Sequence, residues 1–201
     1  MNSSLLILAS ASPRRAELLR AAGITFRIEV SNLEEARAPG EAPRAYAERL
    51  ARDKARVVAR RFPGEPVLAA DTIVILAGAV LEKPADAADA ARMLRQLSGR
   101  AHEVTTGVCL VREPNGGAGK EAKEDVREDV RSETTRVYFR KLNEKEIAEY
   151  IATGEPMDKA GAYAIQGGAA RWVEKIEGDY NNVVGLPVAL VTSMLRDAKL
   201  F

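Results

Sequence analysis

The chain has 201 residues, 46% of them apolar and 29% charged, the mix of a soluble globular protein with room for one substantial domain or two small lobes. Its 30 basic and 29 acidic side chains nearly cancel, so no global field gathers nucleic acid or a membrane surface, and any polyanion site must be a local cluster. One cysteine, Cys109, excludes an intrachain disulfide, and one histidine, His102, excludes a multi-histidine metal site.

The segment Met1 to Ala9 lacks the basic start of a signal peptide, and its apolar run is too short to span a bilayer, so a cytoplasmic protein is expected. Leu5 to Ala9 reads as a short buried strand. A helix from Arg14 to Ala22 follows, with Ser12 as N-cap, Pro13 at the first helical position and Gly23 as the stop. Phe26 to Val30 is a second strand, Leu33 to Gly40 an acidic loop, and Pro43 to Arg61 a long amphipathic helix. Val67 to Leu76 is apolar and β-branched, a buried strand, with a Gly78 turn and a return strand Ala79 to Leu81.

Asp86 to Leu97 is a helix and Glu103 to Arg112 a strand. From Glu113 to Arg131 the composition turns to Pro, Asn, Gly and alternating charge, which reads as an exposed hairpin or loop inserted in the surface of a single domain. Thr134 to Phe139 is a strand and Glu144 to Ala152 a helix. Ala160 to Ile165, Ala170 to Ile176 and Asn181 to Val184 carry short strand signals, and Leu186 to Asp197 closes as a helix. The alternation fits an α/β fold, a mixed twisted sheet with helices on both faces.

Asp71 interrupts the buried strand near its middle. An unpaired buried charge costs several kcal/mol, about the net stability of a domain, so a metal, a cation or a functional cleft must compensate unless the strand breaks there. Ser10 and Ser12 precede a helix start that carries Arg14 and Arg15 in its first turn. Cations there oppose the helix dipole, and a bound phosphate would relieve the conflict. Lys54 falls on the apolar stripe Tyr46, Leu50, Val57, Val58, where it either snorkels outward or enters a polar site beneath the helix. Lys83 is held by Pro84 next to a helix start. Gln166, amid small residues, offers both a donor and an acceptor to an amide-type base edge such as uracil or thymine, or else belongs to a tightly packed turn. No Walker or Rossmann glycine motif occurs in a suitable setting.

Five stretches, 9–15, 70–72, 81–84, 158–167 and 182–187, together resemble the Maf family of nucleoside triphosphate pyrophosphatases. They read Ala-Ser-Ala-Ser-Pro-Arg-Arg, Ala-Asp-Thr, Leu-Glu-Lys-Pro, Asp-Lys-Ala-Gly-Ala-Tyr-Ala-Ile-Gln-Gly and Asn-Val-Val-Gly-Leu-Pro. The resemblance implies two lobes around a cleft, as in the inosine triphosphate pyrophosphatase fold, a homodimer, and metal-assisted hydrolysis of a nucleoside triphosphate to the monophosphate and pyrophosphate. It implies Asp71 as catalytic base, Arg14, Thr72 and Gln166 in substrate choice, and Ser12, Arg15, Lys54 and Lys83 around the triphosphate. The Gln166 form resembles the dTTP/UTP branch, whereas the 7-methyl-GTP branch carries Glu there. Ala164 departs from a common Gly.

Mg²⁺ or Mn²⁺ is the expected cofactor, with Asp71 as ligand and Glu34 or Glu35, Glu35 preferred, as a second carboxylate. Two alternatives stay open: a nucleotide-binding regulator of septum formation, and the same chemistry on purine or 7-methyl-GTP substrates.

Overall fold

A computed structural model describes residues 5–33, 36–112 and 127–200. Its centre is β3 (Val67–Leu76), apolar on both faces because both are covered. Parallel neighbours β1 (Leu6–Leu8) and β2 (Phe26–Ile28) lie on one side of it, and antiparallel β5 (Ala101–Arg112), β6 (Arg127–Phe139) and β7 (Val173–Glu177) on the other. The short return strand β4 (Ala79–Leu81) pairs only with the far end of β3, giving an open, mixed, seven-stranded sheet.

One face carries α2 (Pro43–Ala59), whose stripe packs on Val67, Ala69, Ile73 and Ile75. The opposite face carries two apolar clusters. The first joins α1 (Pro13–Ala21) and α6 (Val188–Asp197) to Leu68 and Ala70. The second joins α3 (Ala87–Leu97) and α4 (Glu144–Ala152) to Val74 and Leu76 around Trp172 and Tyr150. Among the described residues, no helix is long and apolar enough to cross a membrane.

The structure departs from several of the expected elements. Arg127–Arg131 is not loop but the start of β6, paired with the end of β5. Its charges are met by partners, Arg131 with Asp129 and Asp197, and Glu128 with Arg56, so alternation of charge did not preclude a ladder. The rest of that insertion, residues 113–126, lies outside the described residues.

The strand signal at Ala160 to Ile165 instead begins as a 3₁₀ turn, Ala160–Ala162, with Gly161 at φ 68° and its N–H on the Glu82 carbonyl. The next signal, Ala170 to Ile176, is strand only from Val173, as β7; its first residues end a 3₁₀ turn, Gly168–Trp172. Asn181 to Val184 is helical, as α5 (Tyr180–Val184), because the Asp179 carboxylate accepts from the Asn181 N–H and starts a turn that β-branched Val183 and Val184 would not choose alone. Ser12 stands at the N-cap of α1 without a capping bond, and its own N–H donates to Ser10 Oγ at 3.2 Å.

His102 lies in the core, its Nε2 2.8 Å from the Tyr163 hydroxyl, and burial pulls its pKa down to about 4. The unfolded chain therefore takes up this proton first, near pH ~6.5. The contribution is fully present above that pH and is lost as pH falls toward 4, by about 3 kcal/mol in all. Urea midpoints across this range are expected to fall less for His102→Gln than for the unsubstituted protein. Equal falls would remove His102 as the source.

Candidate active site

The site is made by a break in the sheet edge. β1 accompanies β3 only through Leu68, and β4 rejoins it at Val74. Leu68 turns its carbonyl to β1, accepting from Ala9 N–H, so strand alternation sends the main-chain groups of Ala70 and Thr72 into the gap between. A cavity of about 450 Å³ opens there. Ser10, Ser12, Arg14, Arg15, Lys54, Asp71, Thr72, Lys83 and Gln166 all line it. Glu34 and Glu35 lie outside the described residues, so the expected second carboxylate cannot be placed.

Asp71 and Thr72 point to opposite faces of β3, and the cavity reaches both. On the α2 face, Asp71 is 6% exposed and Lys54 8% exposed, and Lys54 Nζ donates to Asp71 Oδ1 at 2.5 Å. The strand does not break, and Lys54 does not snorkel away. It meets the carboxylate beneath its helix.

That meeting depends on Gly107, which pairs with Asp71 across β3 and β5. A Cβ there would overlap the Ala47 carbonyl and stand 2.6 Å from the Glu48 nitrogen, so α2 rests its backbone directly on the sheet. Sequence reasoning passed over Gly107, although a glycine amid Thr105, Thr106 and Val108 signals such an approach.

On the other face the two arginines part company. Arg15 is a brace: Nε donates to the Gly185 carbonyl at 2.8 Å, one terminal nitrogen to Ser10 Oγ at 3.2 Å, and the other to Thr72 Oγ1 at 3.1 Å. Thr72 Oγ1 also lies 2.9 Å from Thr106 Oγ1, and Thr106 donates to the Asn182 carbonyl. Fully buried Asn182, which sequence reasoning also missed as a support, donates to the Val104 carbonyl and Thr135 Oγ1. Three of Arg15's donor bonds therefore serve the protein, while the side chain still lines the cavity. Arg14 and Lys83 face the cavity with no side-chain hydrogen bond among the described residues, and they are the cations placed to meet an anion.

Lys159 also lines the cavity but is engaged by Asp158, whose carboxyl it holds below the usual range. Gln166 is exposed at the rim. The arrangement offers one buried carboxylate beside an ammonium, the two further cations Arg14 and Lys83, and the amides of Asn32 and Gln166.

A family model described as "Maf-like protein" matches residues 5–198. The chain is 59% identical over 193 residues to a dTTP/UTP pyrophosphatase of Koribacter versatilis, covering 96% of this chain and 94% of that one. It is 52% identical over 196 residues to one of Citrifermentans bemidjiense (98% and 96% covered), and 51% identical over 197 residues to one of Geobacter sulfurreducens (98% and 97%). With a match running nearly end to end and the five resembling stretches meeting at one cavity, the chain belongs to the Maf-like protein family.

Proposed function

We propose that this protein is a hydrolase that cleaves dTTP and UTP to the monophosphate and pyrophosphate. The observation that carries the reading is the buried Asp71–Lys54 pair, opening into a cavity that also holds Arg14, Lys83 and Gln166. Cleavage between the α- and β-phosphates needs a water on the α-phosphorus and charge neutralisation on the leaving pyrophosphate. Asp71 accepts the proton as water adds, and the α–β bridging oxygen leaves with its electron pair on pyrophosphate. Lys54 orients the carboxylate. Arg14 and Lys83 take the charge that builds on the leaving oxygens, and the Thr72 N–H donates to the chain of phosphates at the gap. Gln166 meets the pyrimidine edge with its donor and acceptor.

The donor set suits Mg²⁺ or Mn²⁺. Among the described residues no group of three His, Cys, Asp or Glu forms a cage, but Mg²⁺ is commonly held by one or two carboxylates plus substrate phosphates. Asp71 would supply one such carboxylate and Glu35 is proposed for the second. The ion would supply charge neutralisation to the phosphates.

The test is pyrophosphate release from dTTP, UTP, CTP, dATP, ITP and 7-methyl-GTP, with Mg²⁺, with Mn²⁺ and with chelator. Turnover confined to dTTP and UTP and abolished by chelator is the expected result. Gln166→Glu then lowers pyrimidine turnover at least about tenfold, roughly 1.4 kcal/mol. Release from other bases would overturn the pocket assignment, and release from none would overturn the reaction.

A further inference from the structure

Gln166 sits on a turn, 164–168, that is gripped on both sides by one pair of side chains from α4 and the segment after it. Before Gln166, the Ala164 N–H donates to the Tyr150 hydroxyl at 3.0 Å. After it, the Gly168 N–H donates to both oxygens of Glu155, at 3.2 and 3.3 Å. The Tyr150 hydroxyl donates to Glu155 Oε1 at 2.7 Å and closes the ring. A Cβ at Gly167 would fall on the Glu155 carboxylate, so the turn lies flush against it.

Tyr150 is itself fixed, 2% exposed and edge-on to the buried Trp172 ring at 4.8 Å. Burial, and then the Glu155 bond, push its ionisation well above the ordinary tyrosine value, so the hydroxyl keeps the proton it donates. Neither Tyr150 nor Glu155 lines the cavity, so a contact with substrate does not account for them.

We propose that Tyr150 and Glu155 are positioning residues for base selection, holding the Gln166 amide at the height and angle where it meets a pyrimidine edge. This rests on the reading of Gln166 given above. Two main-chain N–H groups flanking one recognition residue are held by two acceptors joined to each other, so loss of either frees the turn on one side and slackens the other. Amide-type recognition discriminates only when its geometry is fixed, and a loosened site accepts the wrong base more readily than it loses the triphosphate.

The experiment compares kcat/KM for UTP with the residual kcat/KM for CTP, read at high enzyme concentration, in the full chain, for Gln166→Ala, Glu155→Ala, Glu155→Gln and Tyr150→Phe, with thermal melts alongside. Glu155→Ala and Tyr150→Phe are expected to lower the UTP/CTP ratio about tenfold while CTP turnover stays near its original value. Glu155→Gln, which keeps an acceptor, loses less. Adding Glu155→Ala to Gln166→Ala lowers the ratio no further, since the two act through one amide.

A ratio unchanged in folded Glu155→Ala or Tyr150→Phe, while Gln166→Ala collapses it, overturns this inference alone. So does an equal loss on both nucleotides, the mark of a merely structural role. If Gln166→Ala itself leaves the ratio intact, the base-reading assignment fails, and the inference with it. Should Glu155→Ala not fold, Tyr150→Phe, which deletes one oxygen, carries the same decision.

Discussion

Asp71→Asn is expected to lower kcat by about 10³-fold and to cost less stability than Asp71→Ala. Removing a positioned general base typically forfeits about 10² to 10⁴ in rate. Here the same carboxylate is also a proposed cation ligand, which argues against the lower end of that range. The fold survives because Asn keeps an acceptor oxygen for Lys54 Nζ, now 2.5 Å from Asp71 Oδ1. Asp71→Ala is different. It takes away the hydrogen-bonded partner as well, and breaking a buried pair costs about 3 to 5 kcal/mol. Replacing both members, with Lys54→Met added to Asp71→Ala, is expected to recover most of that stability and none of the turnover. Steady-state kinetics and urea melts on the three variants separate the effects, and a fully active Asp71→Asn protein would remove Asp71 from the chemistry.

Gly107→Ala is expected to be the most damaging change of a single methyl group. The added carbon meets main chain at Ala47 and Glu48 rather than a side chain that could swing aside. Overpacking between rigid elements costs about 1 to 3 kcal/mol. In a chain of this size, 3 kcal/mol is about 6 to 12 °C in melting temperature. The kinetic loss is larger than stability alone implies. Lys54 follows Ala47 by about two helical turns on the same helix, so lifting α2 draws the ammonium off Asp71. A misplacement of about 1 Å can cost 10²-fold in rate. A variant that melts within 2 °C of the unsubstituted protein and turns over normally would show that α2 is not seated by this approach.

The strands and helices legible from sequence are those whose own residues decide them. β3, β4 and α4 run over the residues expected, since an uninterrupted apolar run, a Gly78 turn and an Asn143 capping box leave no competing choice. α5 was misread because its fate rests on a side chain two residues before its first asparagine.

The cavity lining was legible as well, since charge on an apolar stripe or in a buried strand is an anomaly that any reader of the pattern meets. Which cation does what was not legible. Arg14 and Arg15 are adjacent in sequence, yet successive helical residues project about 100° apart, and only Arg15 reaches Thr72 and Gly185. Gly107 and Glu155 escaped notice for a related reason. Each acts by letting backbone come close to, or bond to, something far along the chain, and the local pattern, such as the glycine amid Thr105, Thr106 and Val108, does not name that partner.

The divided edge of β3 has a consequence for substitution on either face. The carboxylate and its ammonium lie on the α2 side of one strand, while Thr72, Arg15 and the turn bearing Gln166 lie on the other. Substitutions in the turn bearing Gln166 can therefore accumulate on one surface without moving the Asp71–Lys54 pair on the other. A single residue step along β3 thus separates a carboxylate packed under α2 from a hydroxyl braced by Arg15, and a change on one face reaches the other only through the strand itself.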